Sequence, residues 1–102
     1  MFEYYLSLGS NLGDRENNLI YAINSLCSCS KYTPDSYLQV EKISSIYKSK
    51  SIPNFDDPFF FNIVIRAISS LGPYELLDFI KSIEKDYGRN LNEINKPRVI
   101  DI

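Results

Sequence analysis

Residues Phe59 to Ala67 form the most constraining stretch of this chain, an unbroken run of β-prone residues. Strand geometry sends successive side chains to opposite sides, so Phe61, Ile63, Ile65 and Ala67 share one face, and Phe60, Asn62, Val64 and Arg66 the other. The first face belongs to a core. A sheet with one apolar face needs a cover, and the sequence supplies two amphipathic helices on either side of this strand.

The first helix is capped by Asp14, carries Leu19, Ile20, Ile23 and Leu26 as its apolar stripe, and ends near Cys27. The second opens at Gly72-Pro73, buries Leu76, Leu77, Ile80, Ile83 and Tyr87, and stops at Gly88. Tyr4 to Leu8 alternates as a first strand, broken by Gly9-Ser10-Asn11-Leu12-Gly13. After a turn at Thr33-Pro34-Asp35-Ser36, Leu38 to Tyr47 reads as a less regular second strand, and Lys48 to Pro58 as a long loop. Arg89 to Arg98 is polar and irregular, and Val99 to Ile102 begins a fourth strand. The order βαββαβ is that of an α+β, ferredoxin-like antiparallel sheet with both helices on one face and the last strand truncated. Length of 102 residues makes this one domain, residues 1–102, with a modest core.

Composition narrows the chemistry. There are no histidines, which removes the usual general base and the Ser-His and Cys-His nucleophile pairs. Cys27 and Cys29 lack the further ligands of a tetrahedral metal site and read as ordinary thiols. Net charge is −2 with scattered bases, which argues against a nucleic-acid partner, and no apolar run approaches the roughly 20 residues of a membrane helix. With no secretory signal at the N-terminus, the expected location is cytoplasmic. Carboxylates, Arg and Lys must carry any reaction. Asp101 lies on the expected last strand, where a second carboxylate two residues on would share its face and a metal ion, but that position falls after Ile102.

Five fragments, in this order, carry a resemblance: Leu8-Gly9-Ser10-Asn11-Leu12-Gly13-Asp14, Ser44-Ser45-Ile46-Tyr47-Lys48-Ser49, Asn62 after an aromatic run, Glu84 with Gly88-Arg89, and Pro97-Arg98-Val99-Ile100-Asp101. Together they resemble the 6-hydroxymethyl-7,8-dihydropterin pyrophosphokinases of folate synthesis, whose members are longer. The resemblance implies Mg²⁺-dependent transfer of diphosphate from ATP to the pterin hydroxymethyl group, releasing AMP. It implies pterin contacts from Gly9, Asn11, Ser49, Ile52, Phe60 and Asn62, and ATP contacts from Lys81, Glu84, Arg89 and Arg98. Asp101 matches the first of the family's two magnesium-binding aspartates, and Arg98 a catalytic phosphate-binding arginine. The second aspartate has no counterpart here.

The match departs from the family pattern in its loops. Lys50 and Ser51 replace prolines, Pro53 replaces a glycine, Leu91 stands for a basic residue, and Asn95-Lys96 for an aromatic. Each candidate also has a plainer reading: Asp101 as a frayed end, Phe60 as packing under the loop, Asn11 as a cap, Arg89 and Arg98 as solvated charges, and Lys81 with Glu84 as a surface ion pair. On this reading the chain alone is nearly inactive, and its open strand edge invites self-association or a separate C-terminal half. The competing reading is a non-catalytic ferredoxin-like ligand-binding or interaction module derived from a truncated enzyme.

Overall fold

The computed structural model describes residues 1–11, 13–49 and 59–86. Its strands are β1 (Phe2–Ser10), β2 (Leu38–Ile43), β3 (Tyr47–Ser49) and β4 (Phe60–Ser69), and its helices α1 (Arg15–Cys27) and α2 (Pro73–Asp86), with a short 3-10 turn at Cys29–Lys31. All strands join one antiparallel sheet in which β4 lies between β1 on one side and β2 with β3 on the other. The architecture is α+β, in keeping with a ferredoxin-like fold. The expected fourth strand, Val99 to Ile102, lies outside the described residues, as does Tyr87 of the second helical stripe.

The β1–β4 ladder is unbroken from Phe2 opposite Ser69 to Ser10 opposite Phe61. β1 therefore reaches two residues further at each end than expected, and β4 runs past Ala67 to Ser69. Gly9 and Ser10 belong to β1 and do not break it. The single second strand expected over Leu38 to Tyr47 is in fact two, because the register against β4 slips between Val40 and Lys42 and the chain bends again at residues 44–46. Ser44 bridges that bend: its backbone N–H donates to Val64 O at 2.9 Å, and its Oγ accepts from Val64 N at 2.8 Å. A side-chain oxygen stands where a ladder carbonyl would be, so the chain can shift register and still pair along β4. β3 then claims Lys48 and Ser49 from what was read as loop.

One core joins the layers. Leu8, Ile63, Ile65 and Ala67 of the sheet meet Leu19, Ala22 and Leu26 of α1, and Leu76, Phe79, Ile80 and Ile83 of α2. α1 packs on β1, β4 and β2, and α2 packs against α1. The expected stripes were too wide. Ile20 is 52% exposed and Leu77 47% exposed, since each lies one residue, about 100°, around the helix from Leu19 or Leu76. Phe79 takes a core place instead, its ring tilted against that of Tyr32, beyond the 3-10 turn, with centroids 5.4 Å apart.

Both helix starts follow from their sequences. Asp14 Oδ1 accepts from Asn17 N at 3.3 Å, while Gly72 N donates to Glu75 Oε1 at 3.2 Å ahead of Pro73. Cys27 and Cys29 are free thiols, and Cys29 is buried. Among the described residues no helix is long and apolar enough to cross a membrane.

Candidate functional site

The ends of three strands meet at one corner of the sheet. Gly9 lies opposite Asn62 on one flank of β4, and Tyr47 lies opposite Asn62 on the other, with Ser49 opposite Phe60. Alternation puts Gly9, Tyr47, Ser49, Phe60 and Asn62 on the side of the sheet away from the buried Leu8 and Ile63.

Asn62 organises this corner. Its Nδ2 donates to Ser49 Oγ at 2.9 Å, with longer contacts to Tyr47 O at 3.3 Å and Phe60 O at 3.4 Å. The amide nitrogen is thereby turned toward β3, and Oδ1 toward Gly9. A β-carbon built on Gly9 would lie 3.0 Å from Asn62 Oδ1 and 3.1 Å from Phe60 Cδ1, so only glycine leaves both side chains where they are. The result is a half-buried aromatic ring beside an amide whose carbonyl can accept from a ligand N–H.

The loop after β1 is anchored beneath. Ser10 is buried, and its Oγ accepts from Asn18 Nδ2 of α1 at 3.1 Å. Asn11 is 1% exposed, so its side chain is part of the packed interior. On the opposite side of β4, Arg15 and Lys48 place their cationic groups 4.1 Å and 5.6 Å from the centroid of the Phe61 ring.

Five of the expected contacts are therefore gathered at or under one corner: Gly9, Asn11, Ser49, Phe60 and Asn62. Lys81 and Glu84 lie apart from these strands, on α2. Glu84 is only 5% exposed, which corrects its reading as half of a surface ion pair: it lies beside Ile83 on the inner side of the helix. Ile52, Arg89, Arg98 and Asp101 lie outside the described residues. Among the described residues no cluster of three or more Asp, Glu, Cys or His could hold a metal ion. Sequence reasoning gave no role to Tyr47 or Arg15. Arg15 carried a signal, a cation in the first helical turn where the dipole disfavours one.

Comparison with known proteins gives the family. A family model described as 7,8-dihydro-6-hydroxymethylpterin-pyrophosphokinase (HPPK) matches residues 5–102. The chain belongs to the HPPK family. It is 41% identical over 102 residues to the 2-amino-4-hydroxy-6-hydroxymethyldihydropteridine pyrophosphokinase of Aquifex aeolicus, covering 100% of this chain and 59% of that protein. The protein of the same name in Bacillus subtilis is 36% identical over 98 residues, 96% of this chain and 55% of its own length. A folate synthesis bifunctional protein of Arabidopsis thaliana is 35% identical over 101 residues, 98% of this chain and 19% of its own length. The chain thus spans less than two thirds of the length of each of these relatives.

Proposed function

We propose that this chain serves folate biosynthesis as an ATP-dependent pterin diphosphokinase, and that the Gly9–Asn62 corner binds 6-hydroxymethyl-7,8-dihydropterin. The observation that carries the reading is the Asn62 amide, held by Ser49 at 2.9 Å and backed by a glycine where a β-carbon would crowd Asn62 Oδ1 at 3.0 Å. An amide fixed in this way presents its carbonyl to the N–H edge of a flat heterocycle, and Phe60 offers a ring for that heterocycle to lie against.

In the proposed reaction the pterin hydroxymethyl oxygen bonds to the β-phosphorus of ATP. The bond from that phosphorus to the oxygen bridging to the α-phosphate breaks, AMP leaves, and the hydroxyl proton is released. Such a transfer depends on positioning and charge neutralisation more than on covalent catalysis, which suits a chain without histidine. The corner contributes the positioning. Lys81, Glu84, Arg89 and Arg98 are proposed for ATP, with Arg98 also catalytic, Ile52 for a further pterin contact, and Asp101 for Mg²⁺. When bound, Mg²⁺ would neutralise charge on the transferring phosphates. The proposed location is the cytoplasm.

Calorimetry with 6-hydroxymethyl-7,8-dihydropterin tests the reading. Binding by the folded protein is expected, weakened at least about tenfold by Asn62→Ala through loss of one buried polar contact. A folded protein that takes up no pterin at high concentration would sink it. AMP release from ATP and Mg²⁺ that depends on the pterin then separates an enzyme from a non-catalytic pterin-binding module.

A further inference from the structure

Arg15 opens α1, where aligned peptide dipoles disfavour a cation. Its side chain reaches out of the helix instead. Nη1 donates a 2.7 Å hydrogen bond to the carbonyl oxygen of Phe59, and the guanidinium carbon lies 4.1 Å from the centroid of the Phe61 ring. These two residues bracket Phe60. The Lys48 ammonium approaches the same ring at 5.6 Å, and Lys48 lies between Tyr47 and Ser49, the two β3 residues that accept from the Asn62 amide. Alternation turns Phe61 and Lys48 away from the side that carries Phe60, Asn62 and Ser49.

We infer that Arg15 is a positioning residue for the pterin site: it ties the first residues of β4 to α1 from behind, so that Phe60 and Asn62 meet the ligand already in place. The inference rests on reading that corner as the pterin site. The physical reason is preorganisation. Phe59 is exposed and precedes the first paired residue of β4, and a strand start not fixed in advance must be ordered when ligand binds, which subtracts from affinity. A charge-assisted hydrogen bond to its carbonyl and a cation over the Phe61 ring remove that cost beforehand.

The test compares the unaltered protein with Arg15→Ala and Arg15→Lys by pterin calorimetry, and by NMR of the Asn62 side-chain amide and of backbone exchange at residues 60–62 without ligand. Arg15→Ala is expected to weaken pterin binding about tenfold or more, to shift the Asn62 signals and to speed exchange at residues 60–62, with protection of Ile63 to Ala67 kept. Arg15→Lys is expected to recover part of each effect. Unchanged pterin affinity in Arg15→Ala would overturn the inference. So would weaker binding with the Asn62 signals unmoved, since Arg15 would then be a direct ligand contact. If the unaltered protein binds no pterin, the reading of the corner falls separately. Exchange at residues 60–62 then decides, faster in Arg15→Ala supporting the tether and unchanged overturning it. Should Arg15→Ala fail to fold, Arg15→Lys is read by the same measurements.

Discussion

Gly9 and Asn62 face each other across the β1–β4 ladder with no room for a methyl group between them. A β-carbon on Gly9 would meet Asn62 Oδ1 at 3.0 Å and Phe60 Cδ1 at 3.1 Å, contacts tighter than those in most folded proteins. The glycine is therefore set by its neighbours, and its backbone is ordinary strand.

Gly9→Ala is accordingly expected to displace the two side chains proposed to hold the pterin. Asn62 is tied to Ser49 and cannot retreat without stretching that bond. Stability should fall by about 1–3 kcal/mol, in the range of overpacking, and pterin affinity by about tenfold or more. Urea denaturation and calorimetry measure the two effects, and an alanine variant with unaltered pterin affinity would contradict the steric argument.

Tyr4 predicts an alkaline response. Its hydroxyl donates to Leu71 O at 2.8 Å and ties β1 to the turn before α2. Burial first, and the charge of Glu75 second, push this phenol above its ordinary value of 10.0. A group whose folded pKa is raised contributes stability that is fully present below the unfolded value and lost as pH rises through the folded one. Tyr4→Phe should cost about 1 kcal/mol near neutrality. The gap in Tm between the two proteins should narrow above pH 10.0, where the unfolded phenol ionises. A gap that stays constant from neutral to strongly alkaline pH would rule this out.

Two adjacent serines should behave differently. Ser69 Oγ is buried, donates to Tyr37 O at 2.6 Å and accepts from Leu71 N at 3.0 Å. Ser69→Ala takes this acceptor from the buried Leu71 N–H and should cost about 1–3 kcal/mol. Ser70 accepts from Tyr37 N at 2.9 Å in an exposed setting, where water can substitute, so Ser70→Ala should cost less than about 1 kcal/mol. Equal losses in chemical denaturation would refute the distinction.

The longest periodic segments could be read without the structure. α1 and α2 follow from Leu19, Leu26, Leu76, Ile80 and Ile83 at helical spacing, with Asp14 and Pro73 at their starts. The inward set Ile63, Ile65 and Ala67 follows from strand alternation, and the same alternation placed Phe60 and Asn62 together on the outer face. These features depend on local geometry, in which each residue's direction is decided by its position along its own element. The fragments of the family pattern, Gly9, Asn11, Ser49 and Asn62 among them, were likewise visible in order along the chain.

Tertiary pairing decided what local pattern could not. Nothing near Ser44 in sequence announces that its hydroxyl will accept from Val64, 20 positions away, and split one strand into β2 and β3. Ile20 and Leu77 looked as apolar as their neighbours, yet the width of the helix–sheet contact left them outside while Glu84 went in. The grip of Arg15 on Phe59, across 44 positions, is of the same kind. The sequence by itself determined the two helices, the strands β1 and β4 and the alternation of side chains along them. Only the folded chain decided which ends meet at the Gly9–Asn62 corner, because hydrogen bonds and steric contacts between distant segments exist only once the strands have paired.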